Sequence, residues 1–422
     1  MPWLTAPSAI SPFLVLYPIA SMKFALLGVD HDALELIGQL CRAREHELRV
    51  VYDVGDQLED VRDLAPRVEV GDAPEALLAR QEIDAVIVAN SSDQDARERQ
   101  LRILVQGGLR LVVMLPMCDS LTAYELEMIR SETSSIIVPY SSGRGHPAIE
   151  HLAEIIRASD QSPIGVVEQI VFERHMADRK REFVIPQLCR DTHMLALLIG
   201  DIEGVSATGD RDDPYKNLSV VLNGSSGMTT RWNVVPSGGA IHGTIVLYGE
   251  NGKATLEIPV DGPWRLEVAH GERPVQSWPS WNPAGLVVKE LDGQSAGMGS
   301  WFEACRDLEI ADNVATSLRR KRTIEIRREG NPEENTFKGI MSAGGCVLLL
   351  LCLLVTLVLA VVEGFRMPLL SPEELSSAGE PDKPRWHILI RLWPVYPMLA
   401  FLALQALLIV AKSGQKSPED DS

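Results

Sequence analysis

Cysteine is scarce in this chain of 422 residues. The six present, Cys41, Cys118, Cys189, Cys305, Cys346 and Cys352, form no Cys-x-x-Cys pair and no other metal-ligand spacing. That scatter argues against a disulfide framework and suits thiols serving as small apolar side chains in a reducing compartment. Positive charge is also in short supply. Lysine and arginine number 40 against 58 aspartates and glutamates, a net charge of −18, which argues against a nucleic-acid partner. Residues 1–21 contain no lysine or arginine, so the basic segment that opens a secretion signal is missing. Pro7, Pro12 and Pro18 interrupt any helix there. Met22 is therefore expected to be the natural start, or residues 1–21 to be a disordered extension. His146 and His151 stand five apart and miss a shared helix face, so no metal site is expected.

What is present is organised around residues 23–53. Phe24-Ala25-Leu26-Leu27 is a short apolar run of the kind a buried parallel strand gives. Gly28 follows, and Asp30 and Asp32 supply helix N-cap chemistry. Leu34, Leu36, Ile37 and Leu40 then form one apolar helical stripe. Val50-Val51-Tyr52 is the second strand, with Asp53 at its carboxyl end. This is the opening of a dinucleotide-binding fold, in which the turn Gly28-Val29-Asp30-His31 would hold a pyrophosphate at the helix N-terminus and Asp53 would grip a ribose, favouring NAD over NADP. The G-x-G-x-x-G/A fingerprint keeps Gly28 and a permitted Ala33 but has Asp30 at its second position. A side chain and a negative charge there oppose two phosphates.

Alternation of strands and helices continues. Residues 73–80 suit a helix, 84–89 a strand ending on Asn90 and Ser91, 96–107 a helix, 110–115 a strand, 121–131 a helix, 135–139 a strand and 146–158 a helix. Asn90 and Ser91 fall at a strand's carboxyl end, where an open parallel sheet binds ligands. From Pro163 the pattern changes to a β-like run over 165–172, a charged segment over 173–182 and a helix over 185–200. Strand-and-turn stretches over 218–258 follow, then a helix over 301–319 and a strand over 322–327. The expected fold is α/β: a Rossmann domain over 22–150, then an α+β domain over 151–330 with a largely antiparallel sheet.

Two uncharged apolar stretches lie beyond a linker at 331–338. Residues 339–362 and 392–411 are each long enough to span a bilayer as a helix, and Trp386, Trp393 and Tyr396 resemble an interfacial belt. They are expected to form two transmembrane helices joined by an extracytoplasmic loop at 363–391. Basic residues flanking them place the soluble domains, the tail at 412–422 and both termini on the cytoplasmic side.

The order of Gly28, the 84–90 strand, Gly107-Gly108 with Pro116, Asp191-Thr192-His193 with Gly200, Gly243 with Gly249 and Gly252, and Ala311-Asp312-Asn313 resembles the Gfo/Idh/MocA oxidoreductase family, typified by glucose–fructose oxidoreductase and inositol dehydrogenase. The resemblance covers about 22–330. It implies an NAD(P)-dependent oxidoreductase acting on a sugar or cyclitol-like substrate, and homo-oligomers formed through the second sheet. Three positions depart from the family pattern. The lysine of its E-K-P motif aligns with Leu115, the aspartate of its D-x-x-x-H motif aligns with Cys189, and the second glycine is Asp30. His193 is then the candidate base, with Cys189 as a second catalytic candidate and Arg190 and Asp191 beside them. Each also has a structural reading, as a satisfied buried histidine or a core thiol. His175 with Arg174, Arg179, Lys180 and Arg181 reads as a solvated loop or as an anionic-substrate contact. Two functions stay open: the membrane-anchored oxidoreductase, or an inactive Rossmann-fold binding or regulatory module tethered at the membrane. A lyase or glycosidase chemistry on a retained cofactor is a third.

Overall fold

A strand that must be buried on both faces is written as an unbroken apolar run. The five runs expected over residues 24–139 obey this in a computed structural model. The structure describes residues 21–326, apart from 43–45, 92, 238, 270–274 and 279–280, and the single residue Leu354. Strands β1 (Lys23–Leu27), β2 (Glu47–Tyr52), β3 (Glu69–Val70), β4 (Ala85–Val88), β5 (Arg110–Met114) and β6 (Ile136–Tyr140) form one parallel sheet in the order β3-β2-β1-β4-β5-β6. The helices between them are α1 (His31–Arg42), α2 (Leu58–Leu64), α3 (Gln94–Gln106) and α4 (Ser120–Glu132), with α5 (Pro147–Arg157) after β6. The strand order reverses between β1 and β4, which opens a crevice at the strands' carboxyl ends. The helix expected at 73–80 is a short 3₁₀ segment, Pro74–Ala79.

The second sheet has nine strands. β7 (Val167–Met176) is followed by α6 (Arg181–Ile199), then β8 (Ile202–Thr208), β9 (Ser219–Gly224), β10 (Thr229–Pro236), β11 (Ile241–Gly249), β12 (Gly252–Pro259), β13 (Trp264–Ala269) and β14 (Gln276–Trp278). Helices α7 (Ala284–Leu291) and α8 (Trp301–Arg320) and the short β15 (Ile324–Glu325) complete it. The order is β14-β13-β12-β11-β7-β10-β9-β8-β15, with β7 and β10 parallel and the other described neighbours antiparallel. β7 runs four residues past the expected 172, through Arg174, because Ile170, Phe172 and Arg174 alternate onto one face and Asp191 meets the arginine there.

The cores do not divide in chain order. Leu291 and Val287 of α7, with Trp301, Ala304, Cys305 and Leu308 of α8, join the core of the parallel sheet. Ile310, Val314 and Leu318 of the same α8 belong to the core of the second sheet. Trp301 Nε1–H donates to the carbonyl of Ala123 at 3.1 Å, and Tyr124 Oη–H to Glu309 at 2.8 Å, so α8 is held against α4.

The location at a membrane, with domains and termini facing the cytoplasm, is corrected. Among the described residues no helix is long and apolar enough to cross a membrane. The two stretches at 339–362 and 392–411, like the loop and tail around them, lie outside the described residues except for Leu354.

Candidate functional site

The turn after β1 is built for glycine at one point. Gly28 has φ +78°, and a Cβ there would lie 2.6 Å from Arg97 Nη2 and 2.9 Å from the carbonyls of Ala89 and Asn90. Its N–H donates to the carbonyl of Tyr52 at 2.9 Å, tying the turn to β2. Val29 is half-buried against the core, and His31 is exposed at the first position of α1. Asp30 caps the helix: its Oδ1 accepts from the Ala33 N–H at 2.9 Å. Its Oδ2 accepts from the N–H and the side-chain Nδ2 of Asn90, at 3.3 and 3.2 Å.

Asp53 stands at the carboxyl end of β2 in the left-handed region, φ 52°. Its Oδ2 takes the Arg97 Nη2–H at 2.6 Å and the Ser91 hydroxyl at 3.2 Å. The side chain remains 51% exposed, so its other oxygen faces outward. Arg97 was not anticipated from sequence. It is fully buried under the turn, and its Nε and Nη1 have no hydrogen-bond partner among the described residues. Burial pulls its pKa down, and the charges of Asp53 and Asp30 oppose that. Nothing but its place on a helix after β4 marked it, and an arginine in a polar helix reads as solvated.

On α6 the structure selects a different face from the expected one. Gln187, Arg190, Asp191 and Met194, spaced three and four apart, line a cavity of about 690 Å³. His193 and Cys189 do not line it. His193 is wholly buried, with Nδ1 2.6 Å from Asp307 Oδ2 and 3.1 Å from Arg144 Nη1, and Nε2 3.0 Å from the Met298 carbonyl. Both ring nitrogens are engaged inside the protein, the geometry of a satisfied buried histidine. Cys189 is 1% exposed, and burial pushes its thiol well above the ordinary range. Burial of this kind disfavours the thiolate, the form in which cysteine attacks.

Asp191 is saturated as well. It accepts from Arg174 through both oxygens, from Trp232 Nε1 at 2.8 Å and from Gln187 Nε2 at 3.0 Å. Arg174, expected in a charged loop, is instead buried in β7 over the Phe172 ring. Arg190 is the open group. Its Nε–H donates to the carbonyl of Leu115 at 2.7 Å and lies 3.5 Å from Asp32, and its terminal nitrogens make no hydrogen bond within the described residues.

The far wall of the cavity is aromatic. His146 stacks on Trp264 with ring centroids 3.8 Å apart, and Trp281 and Trp278 stand 5.4 and 6.4 Å from it. Its Nδ1 accepts from the Ala148 N–H at 3.1 Å, which caps α5 and leaves the proton on Nε2. Burial lowers its pKa to about 4, so it is a neutral donor. His242 also lines the cavity, and burial together with Arg174 lowers its pKa too. Its ring nitrogens make no hydrogen bond to the described residues. The clustering of three of the chain's eight tryptophans over 264–281 was the available signal for this wall. Among the described residues no group of three or more His, Cys, Asp or Glu could hold a metal ion.

The crevice suits a dinucleotide in its donors. Gly28 keeps the tight turn, the N-terminus of α1 points into it, Asp53 offers a free carboxylate oxygen, and Asn90 presents two N–H groups. Those donors already hold the Asp30 carboxylate.

No protein-family model and no curated protein matches the sequence. Solved structures match the fold. An aldose–aldose oxidoreductase from Caulobacter crescentus is 14% identical with a TM-score of 0.58, over 72% of this chain and 100% of that one. A putative myo-inositol dehydrogenase from Sinorhizobium meliloti is 18% identical with a TM-score of 0.57, over 73% of this chain and 100% of that one. Other structural neighbours are crystallised with NAD or NADP. At these identities the likeness establishes architecture alone. The chain has the fold of the Gfo/Idh/MocA-type oxidoreductases.

Proposed function

We propose that the protein is an NAD(P)-dependent oxidoreductase of a sugar-like or cyclitol polyol. The observation that carries this is the 690 Å³ cavity, which is continuous from Asp30 and His31 at the turn after β1 to the wall of Trp264, Trp278 and Trp281. One end has the donors for a dinucleotide, and the other offers flat apolar faces with hydrogen-bonding groups between them, which suits a polyhydroxylated ring.

The nicotinamide, when bound, supplies the hydride acceptor or donor. The chain's own groups do the rest. The N-terminus of α1 and Asn90 hold phosphate, and Asp53 holds a ribose hydroxyl. Arg190, placed against the Leu115 carbonyl where the family's lysine would reach, puts a fixed positive charge beside the substrate oxygen as charge develops on it. Arginine stays protonated at working pH, so it cannot take the substrate proton. His242, neutral and without a hydrogen bond to the described residues, accepts it. His146 donates Nε2–H to a ring hydroxyl. The test is a panel of aldoses, inositols and sugar acids assayed with NAD⁺ and NADP⁺ by nicotinamide absorbance. Turnover of at least one polyol is expected, lost in Arg190→Met; a panel with no turnover at saturating cofactor rejects the reading.

A further inference from the structure

We propose that the Asp30 carboxylate is a resident occupant of the seat in which a dinucleotide phosphate would lie, so that cofactor binds by displacing it. The inference rests on the cofactor reading above and assigns Asp30 as the residue that sets cofactor affinity.

A carboxylate that only capped α1 would need the Ala33 N–H and nothing more. Asp30 uses that donor with one oxygen, at 2.9 Å, and turns the other across the crevice to both N–H groups of Asn90. Its three donors therefore come from the first turn of α1 and the loop after β4, the two walls of the crevice where the strand order reverses. A ligand phosphate in this architecture takes its hydrogen bonds from these same walls. The second observation lies underneath. Arg97 is fully buried, with Nε and Nη1 unpartnered among the described residues, and its charge is felt by Asp30 as well as Asp53. Burying a guanidinium with two unpaired nitrogens is costly, and the cost is offset only if negative charge stays in the crevice above it. A helix N-terminus, two amide donors and a cation beneath are the chemistry of a phosphate seat. Asp30 supplies the anion when no phosphate does.

The exchange needs no backbone rearrangement. Asp30 borders the large cavity, so its side chain can rotate out into it and hand the Ala33 and Asn90 donors to a phosphate oxygen. Ligands without phosphate leave Asp30 in place.

The experiment titrates NADH, and separately adenosine, into the full-length wild type and Asp30→Gly, Asp30→Ser and Asp30→Asn, reading nicotinamide fluorescence and calorimetric heat. Asp30→Ser keeps a cap on Ala33 but is too short to reach Asn90, so it guards against a folding defect in the glycine variant. NADH is expected to bind Asp30→Gly and Asp30→Ser at least tenfold more tightly than wild type, with adenosine unchanged. Asp30→Asn should gain clearly less, because the amide still fills the space of the seat and its one oxygen can still accept there, although its NH2 cannot. Equal NADH affinity in wild type and both small-residue variants would overturn the displacement while leaving the cofactor reading intact. An Asp30→Asn gain as large as that of Asp30→Gly would also overturn it, in favour of simple charge repulsion. Absence of NADH binding in all four proteins would sink both.

Discussion

Arg190 of α6 donates its Nε–H to the carbonyl of Leu115 at 2.7 Å. One bond thus links the helix under the second sheet to the end of β5, and it brings a guanidinium to the cavity.

Arg190→Met is expected to lower kcat/KM by about a hundredfold on whichever polyol the wild type turns over, the scale of losing one electrostatic partner of a developing charge. Arg190→Lys should fall between the two. The double change Leu115→Lys with Arg190→Met should recover part of the loss, and added guanidinium should partly rescue Arg190→Met. A methionine variant as active as wild type removes the arginine from the chemistry.

His242 must be neutral to accept a proton, and its pKa lies below the ordinary 6.5. Activity in the oxidising direction should therefore rise through a limb below pH 6.5 and be flat above it. His242→Gln should lower kcat and abolish that limb. A limb that survives the substitution assigns it to another group.

His146 connects stability to pH. Its folded pKa of about 4 lies below the unfolded 6.5, so the unfolded chain binds the proton more readily between these values. The contribution is fully present above pH 6.5, declines as pH falls to about 4 and is gone below, at most about 3 kcal/mol in all. His146→Asn, which can still accept the Ala148 N–H, should flatten that part of the urea midpoint against pH.

The Arg174–Asp191 pair is buried on both sides. Removing one partner leaves an uncompensated charge, so Arg174→Met should destabilise by roughly 3–5 kcal/mol. Pairing it with Asp191→Leu should recover a good part of that. Chemical denaturation of the two single variants and the double measures the coupling.

The parallel sheet was legible in the sequence because strands such as 24–27 and 85–88 are buried on both faces and so are written as unbroken apolar runs. The turn at Gly28 and the acid at Asp53 were legible for the same local reason. The face of α6 was not. Leu188, Cys189, Thr192, His193 and Leu195 are buried, and so is Asp191 of the cavity-facing set, so polarity along the helix does not by itself show which residues meet the cavity. Arg190 meets the cavity, one turn earlier than His193. Arg174 was misjudged because its partner, Asp191, lies on another element. The aromatic wall is set by the pairing of β13 with β14, which brings Trp264 opposite Trp278. Apolar runs beyond 338 were read from hydropathy alone.

Helix α8 gives Trp301, Ala304, Cys305 and Leu308 to one core and Ile310, Val314 and Leu318 to the other. It works as a common axle: neither sheet can melt without stripping half of this helix. Heating should therefore show residues 22–326 unfolding in a single cooperative step, and the two walls of the cavity should keep their spacing up to that temperature.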